Sequence, residues 1–269
     1  MENLSLGCKL SPTDVRDYKV PASTKPLPES FELDFSNVDV KYQGSVSSCV
    51  AHAMSTILEY HTHSSDKLST NFIYGIRKAL FNQLGKGMYL RDACKIALHY
   101  GDPLYKDCSG NNEVPTAYEI ADRAMENKEV MDAAAAYRIK SYFSCYTIKD
   151  IKTALVNHGP VLISIKWHPD YKVVDGVLTG GNEKGSGYHA LVCYGYTPEG
   201  FLIQNSWGKN WGVKGRFILP YDIKIREARG IVDLADDEYK APSKPNEVLN
   251  FLYKSLNALV NLIRHILKI

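Results

Sequence analysis

The hydrophobic pattern changes period part-way along this chain, and that change constrains the fold more than any other feature of it. Between residue 47 and about residue 137 the apolar residues recur at helical spacing. Val50, Ala53, Met54, Ile57 and Leu58 share one face, with Ser47 and Ser48 placed to cap it, and Phe72, Ile73, Ile76 and Leu80 share another behind Ser69. Thr116 with Glu119 makes a capping box for a later helix. Thr147 to His158 reads as one more helix, stopped by Gly159 and Pro160. Past that stop the chain is strand-like: VLISIKW, YHALVCYGY, a turn at TPEG, FLIQNSW and GRFILP. Helices first and antiparallel strands afterwards give an α+β protein in two lobes, and a cleft between lobes is a common place for a site.

The flanks read differently. Lys9 to Asn37 carries four prolines and little periodicity, so residues 1–37 are expected to be an extended arm lying across the folded body. Residues 38–234 are the expected domain, with a helical lobe over about 45–140 and a strand-rich lobe over about 141–234. ADDEYKAPSKPNEV, residues 235–248, is charged and has two prolines, which reads as a linker. Beyond it Leu249, Leu252, Leu256, Leu259, Ile263 and Ile266 form an amphipathic stripe over residues 249–269. Lys254, Arg264, His265 and Lys268 argue against a membrane span there. Such a helix suits packing on its own body, a partner or self-association, or a membrane surface.

Composition excludes several classes. At 269 residues and 45% apolar content the chain can bury a real core. Its 32 basic and 30 acidic residues nearly cancel, so no nucleic-acid partner is expected. The first residues lack the basic start, long apolar run and cleavage site of a secretory signal, and a cytoplasmic location is expected, although a mature secreted or virion form would read the same. The six cysteines are scattered with no CxxC pair and no Cys/His cluster of zinc spacing, so neither a disulfide framework, a metal site nor a cofactor is expected.

One cysteine stands apart. In YQGSVSSCVAHAMSTILEY, Cys49 falls where a polar loop becomes an apolar helix. It is a small buried hydrophobe, a disulfide partner or a nucleophile, and as a nucleophile it must become a thiolate, which a helix N-terminus and a nearby imidazolium favour. Among the histidines weighed as its partner, His52 lies on the same helix and is too local, His61, His63, His99 and His265 read as surface residues, and His158 sits at a helix end. His189 lies inside the strand YHALVCYGY, where a polar ring costs free energy unless it is hydrogen-bonded. By itself that also describes a satisfied core histidine. The next strand changes the balance, because antiparallel pairing can bring the Asn205 amide to the imidazole and fix one ring nitrogen, with Trp207 over the bond to exclude water. Gln43 can supply a side-chain N–H that joins the Cys49 backbone N–H in an oxyanion hole.

Assembled, these residues resemble the papain-like cysteine peptidases of the C1 type, whose order Gln, Cys, His, Asn is matched by Gln43, Cys49, His189 and Asn205. QGSVSSCVAHA is similar to the segment around the family's nucleophile, HGPVLISIKW to its GPV strand, DGVLTG to its tyrosine-glycine loop, and NSWGKNWGVKGRF to its NSWG-x-x-WG block, together covering about residues 30 to 235. SPTDVRDY and GKGMYLRDACKIALHYGDP are more similar to the bacterial and viral branch than to plant or lysosomal members. The resemblance implies a papain-like two-lobe fold, a helical lobe beside an antiparallel β-barrel-like lobe with the active site in the cleft. It implies a cysteine endopeptidase acting on protein or peptide substrates through a Cys49 thioester, with His189 as general base and acid. Gly87 and Met88 would line the non-primed side of the cleft, and Tyr188 and Trp207 would flank the histidine. The alternatives are a catalytically silent binding or scaffold protein of the same fold, and a transpeptidase that gives the same thioester to an amine.

Two departures from the family's pattern stand out. Val46 occupies the place of a cysteine usually paired in a disulfide three residues before the nucleophile, which suits folding in a reducing compartment. Val50 replaces an aromatic residue that usually comes directly after the nucleophile, which changes a cleft wall but no catalytic group. No long helical prosegment is read ahead of the body, which leaves three arrangements: the arm before Asn37 covers the cleft, the tail after Ala235 does, or nothing does.

Overall fold

The computed structural model describes residues 5–14, 17–19, 26–63, 66–83, 85–106, 108, 128–181 and 187–233. Contacts divide the chain into two units, Met1–Asp236 and Asp237–Ile269. The second unit, with most of the expected linker and all of the 249–269 helix, lies outside the described residues, as does the Thr116–Glu119 capping box.

The helical lobe is built on α1, Cys49–Thr62. Its residues 49 to 59 are buried on every side rather than along one apolar stripe. The polar ones among them find partners: Ser55 donates to Asp102 at 2.6 Å, Lys41 meets Glu59 at 2.5 Å, and His52 Nδ1 lies 3.0 Å from the Ser48 carbonyl. That is the condition under which polar groups enter a core. α2, Thr70–Phe81, starts at Ser69, whose hydroxyl accepts the Phe72 N–H as the sequence leads one to expect. α3, Leu90–His99, and α4, Lys128–Ala135, complete the described helices of this lobe. The expected serine cap of α1 is corrected. Ser48 occupies the cap position but makes no side-chain cap bond, and Ser47 instead bonds Ser5 of the arm at 3.0 Å. His61 is also corrected, since its side chain is only 6% exposed and faces Asp233 at 4.0 Å, whereas His63 and His99 are exposed.

The long strands of the strand-rich lobe follow α5, Ile148–His158, whose Thr147 and Asp150 form a complete capping box. The strands are β1 (Cys8–Lys9), β2 (Phe31–Glu32), β3 (Met88–Tyr89), β4 (Ser141–Ser144), β5 (Val161–Trp167), β6 (Lys172–Val174), β7 (Val177–Thr179), β8 (Gly187–Tyr196), β9 (Gly200–Gln204), β10 (Arg216–Pro220) and β11 (Ile225–Val232). Their main path runs β4-β11-β5-β8-β9-β10-β7-β6, with β1 and β2 added on β8 and β3 paired to β1. The sheet is open and mixed rather than antiparallel and barrel-like throughout. β10 pairs with β7, and β1 with β3, in parallel, because these segments meet through long connections rather than hairpins. The β6–β7 hairpin turns on Asp175 and Gly176, both at positive φ, the geometry that an Asp-Gly pair favours in a two-residue turn. β8 is central, flanked by β5 and β9, and it carries His189 opposite Ile165.

Candidate active site

Cys49 is the first residue of α1 and is fully buried. Backbone N–H groups near its sulfur favour the anion, first that of Ala190, the residue after His189 on β8, and then that of Gly7 from the arm. His189 is equally buried. Strand β9 returns antiparallel to β8, with Val192 opposite Gln204, and so delivers Asn205 to the ring: Asn205 Oδ1 lies 2.7 Å from His189 Nε2. Nδ1 of His189 has no hydrogen-bond partner in the described structure. Trp207 stacks on the imidazole at 4.4 Å and 21° and is itself 4% exposed, so the His189–Asn205 bond is shielded from water. Trp167, the last residue of β5, stands edge-on to both His189 and Trp207 at 5.3 and 4.7 Å. It closes the aromatic wall, a role the sequence does not announce, since its only signal there is a tryptophan ending the VLISIKW run.

Gln43 is buried beside the same cleft, and its amide is fixed at both ends. Oε1 accepts from Ser206 Oγ at 2.6 Å, while Nε2 donates to the carbonyls of Val46 at 2.7 Å and of Ser5 at 2.9 Å. Ser206, the residue after Asn205, also accepts the Gln43 backbone N–H. The Asn-Ser pair of NSW therefore orients the histidine with one residue and the glutamine with the next.

The remaining expected residues all meet the N-terminal arm. Gly7 O accepts the Met88 N–H at 2.8 Å, Cys8 and Lys9 run parallel to Met88 and Tyr89, and Cys8 pairs antiparallel with Tyr188. Ser5, Gly7 and Cys8 thus bridge the two lobes over Cys49. Gly7 is required by close approach, since a Cβ on it would fall 2.1 Å from the Ser47 carbonyl oxygen. Further along, Asp17 takes two bonds from Arg91 at 2.6 and 3.1 Å and one from Arg229 at 2.9 Å. Glu227 holds Arg229 and accepts the Ser11 N–H. Those four residues clasp the arm to the body.

Burial sets the electrostatics of Cys49 and His189. It pushes the Cys49 thiol up to about 11, against the backbone N–H groups that favour its anion. It pushes His189 down to about 4, against the Asn205 bond that favours the cation. Burial thus opposes the charged form of both groups, while the backbone N–H groups at Cys49 and the Asn205 bond at His189 favour it.

The family of papain family cysteine proteases matches residues 27–233, which hold all of these groups except those of the N-terminal arm, Ser5 to Asp17. The chain belongs to the papain family of cysteine proteases. An uncharacterized peptidase C1-like protein of Acanthamoeba polyphaga mimivirus is 25% identical over 240 residues, 77% of this chain and 74% of that protein. Cathepsin B-like cysteine proteinase 1 of Haemonchus contortus is 27% identical over 49% of this chain and 41% of its own length. Among solved structures, xylellain, a cysteine protease from Xylella fastidiosa, aligns with a TM-score of 0.70 at 20% identity, over 87% of this chain and 97% of that one. Viral and bacterial members of the papain family are thus among this chain's relatives, in keeping with the resemblance drawn from SPTDVRDY and the 85–103 stretch. Its function is that of a cysteine peptidase, and neither the silent scaffold nor the transpeptidase gains support from these relatives.

Proposed function

We propose that this papain-family protein is an endopeptidase in which Cys49, His189, Asn205 and Gln43 carry the reaction. The observation behind this reading is the state of His189: one ring nitrogen is tied to Asn205, the other has no hydrogen-bond partner among the described residues, and the N–H of the next residue along the strand favours the Cys49 anion. The free nitrogen takes the thiol proton, and the thiolate attacks the scissile carbonyl carbon. The Gln43 amide and the Cys49 N–H hold the oxygen as it becomes an anion. The imidazolium gives its proton to the leaving amine as the C–N bond breaks, leaving a thioester on Cys49. Water, deprotonated by the same imidazole, then cleaves the thioester and frees the acid. Asn205 keeps the ring in one orientation throughout.

The closed arm is incompatible with these steps. Ser5 O occupies the donor meant for the oxyanion, and β1 fills the edge of Met88 and of Tyr188 that a substrate backbone would use. Hydrolysis therefore belongs to a form in which the arm has left the cleft, and Met88 and Tyr188 then offer the same backbone edges to protein or peptide substrates, with Gly87 beside Met88 in the cleft wall.

The experiment is cleavage of a peptide library by the full chain and by Cys49→Ala, with an added amine nucleophile in a parallel reaction. Hydrolysis products that vanish in Cys49→Ala support the reading. Cleavage that survives in that variant, or products that carry the added amine as their main species, would sink it.

A further inference from the structure

Arg77 on α2 is fully buried. Its guanidinium lies 3.5 Å over the ring of Tyr74, one turn earlier on the same face, and donates to the Tyr74 carbonyl. The rest of its fork leaves the helix: Nε donates to the Gly87 carbonyl at 3.0 Å, and Nη2 to the Gly85 carbonyl at 2.9 Å. Tyr74 Oη accepts the Gly87 N–H at 3.2 Å. Both polar groups of Gly87 are therefore taken by two side chains of α2. Gly87 itself sits at φ +83, a conformation in which glycine is unstrained and other residues are not.

The next residue along is Met88, whose N–H meets the backbone lying in the cleft, at present Gly7 O at 2.8 Å. All six cysteines are free, so no disulfide ties the 82–87 connection to the body. A single arginine suits this task because three carbonyls at different angles need a planar fork of several donors, which lysine lacks.

We infer that Arg77, with Tyr74, is a positioning residue for substrate: it fixes Gly87 so that the Met88 edge is presented to an extended backbone in the cleft. This role rests on the peptidase reading above and deepens it, since Arg77 acts through Gly87 and touches no reacting atom. Sequence alone conceals it, because Arg77 falls in the polar part of the α2 pattern and its partners are backbone atoms.

The test compares two labelling reactions of Cys49 in the full chain, one with a peptidyl epoxysuccinate and one with iodoacetamide. Both need the arm displaced, so the arm's own equilibrium cancels in the ratio of the two rate constants, and only the peptide reagent uses the Met88 edge. In Arg77→Ala the ratio is expected to fall about ten- to a hundredfold, the scale of losing a charge-assisted hydrogen bond. Millimolar guanidinium restores it, and Tyr74→Phe lowers it in the same sense. Global loosening would alter both rates together and leave the ratio unchanged. A wild-type ratio in both variants, or a loss in Arg77→Ala that guanidinium fails to restore, overturns the role. A wild-type protein with no preference for the peptide reagent overturns the peptidase reading itself, and does so before any substitution is made.

Discussion

Asn205 Oδ1 accepts from two neighbours at once, lying 2.7 Å from His189 Nε2 and 2.7 Å from the Ser206 N–H. One amide oxygen thus sets both the imidazole ring and the start of the segment that holds Gln43. Asn205→Ala should lower kcat about ten- to a hundredfold with little change in KM, the scale of one or two buried hydrogen bonds. Steady-state kinetics on a peptide substrate check this, and a change confined to KM would contradict it.

Gln43→Ala removes the side-chain donor proposed for the oxyanion. Turnover should fall roughly 10²- to 10³-fold. The same change deletes the Ser5 contact and should loosen the arm, so Cys49 ought to be alkylated by iodoacetamide faster than in wild type even though hydrolysis is slower. Hydrolysis and alkylation slowing together would argue against this assignment.

Gly7→Ala places a methyl group 2.1 Å from the Ser47 carbonyl oxygen, on backbone that cannot yield easily. The arm should be expelled and initial rates of peptide hydrolysis should rise more than tenfold, the population shift produced by about 1.4 kcal/mol. Unchanged rates would show that the arm does not limit access.

The pH dependence of closure comes from the buried pair. His189 is pushed down to about 4 from an ordinary value of about 6.5, so as pH falls through that interval an open cleft binds a proton that the closed one refuses. Cys49 is pushed up to about 11, so above about pH 8.5 the open cleft releases a proton that the closed one keeps. Closure should be tightest between about pH 6.5 and 8.5 and weaken on both sides. Energy transfer between a fluorophore on the arm and one on the body would track it, and His189→Ala should abolish the acid limb alone.

The clasp behaves differently. Burial raises the Asp17 carboxyl, but the bonds from Arg91 and Arg229 outweigh it and hold the group below its ordinary value. Its contribution is therefore present above about pH 3.9 and lost only as pH falls through the lowered value, so mild acid should leave the clasp intact. Asp17→Asn should open the arm at neutral pH, since it removes the carboxylate charge that Arg91 and Arg229 both face. The same fluorescence measurement reads it, and a variant that stays closed would place the anchoring elsewhere.

Much of the site was legible because its chemistry rests on residue types in a fixed order along secondary elements of clear period. A histidine inside an apolar strand and an asparagine ending the next one can meet by simple hairpin pairing, and they do. Helix caps were less legible. Ser48 stands at the cap position without capping, because local spacing cannot tell which of two serines is claimed by a distant segment such as Ser5. His61 looked exposed since helical position alone does not show what packs beside it.

The sequence by itself determined the class of fold, the position of Cys49 at a helix start and the meeting of His189 with Asn205, because these depend on periodicity and on neighbours along the chain. Tertiary structure alone decided that the arm's backbone lies between Met88 and Tyr188, that Cys49 and His189 are both fully buried, and that Arg77 grips Gly87. Each of these rests on backbone atoms or on desolvation brought about by segments far apart in the chain, and neither leaves a mark on residue identity.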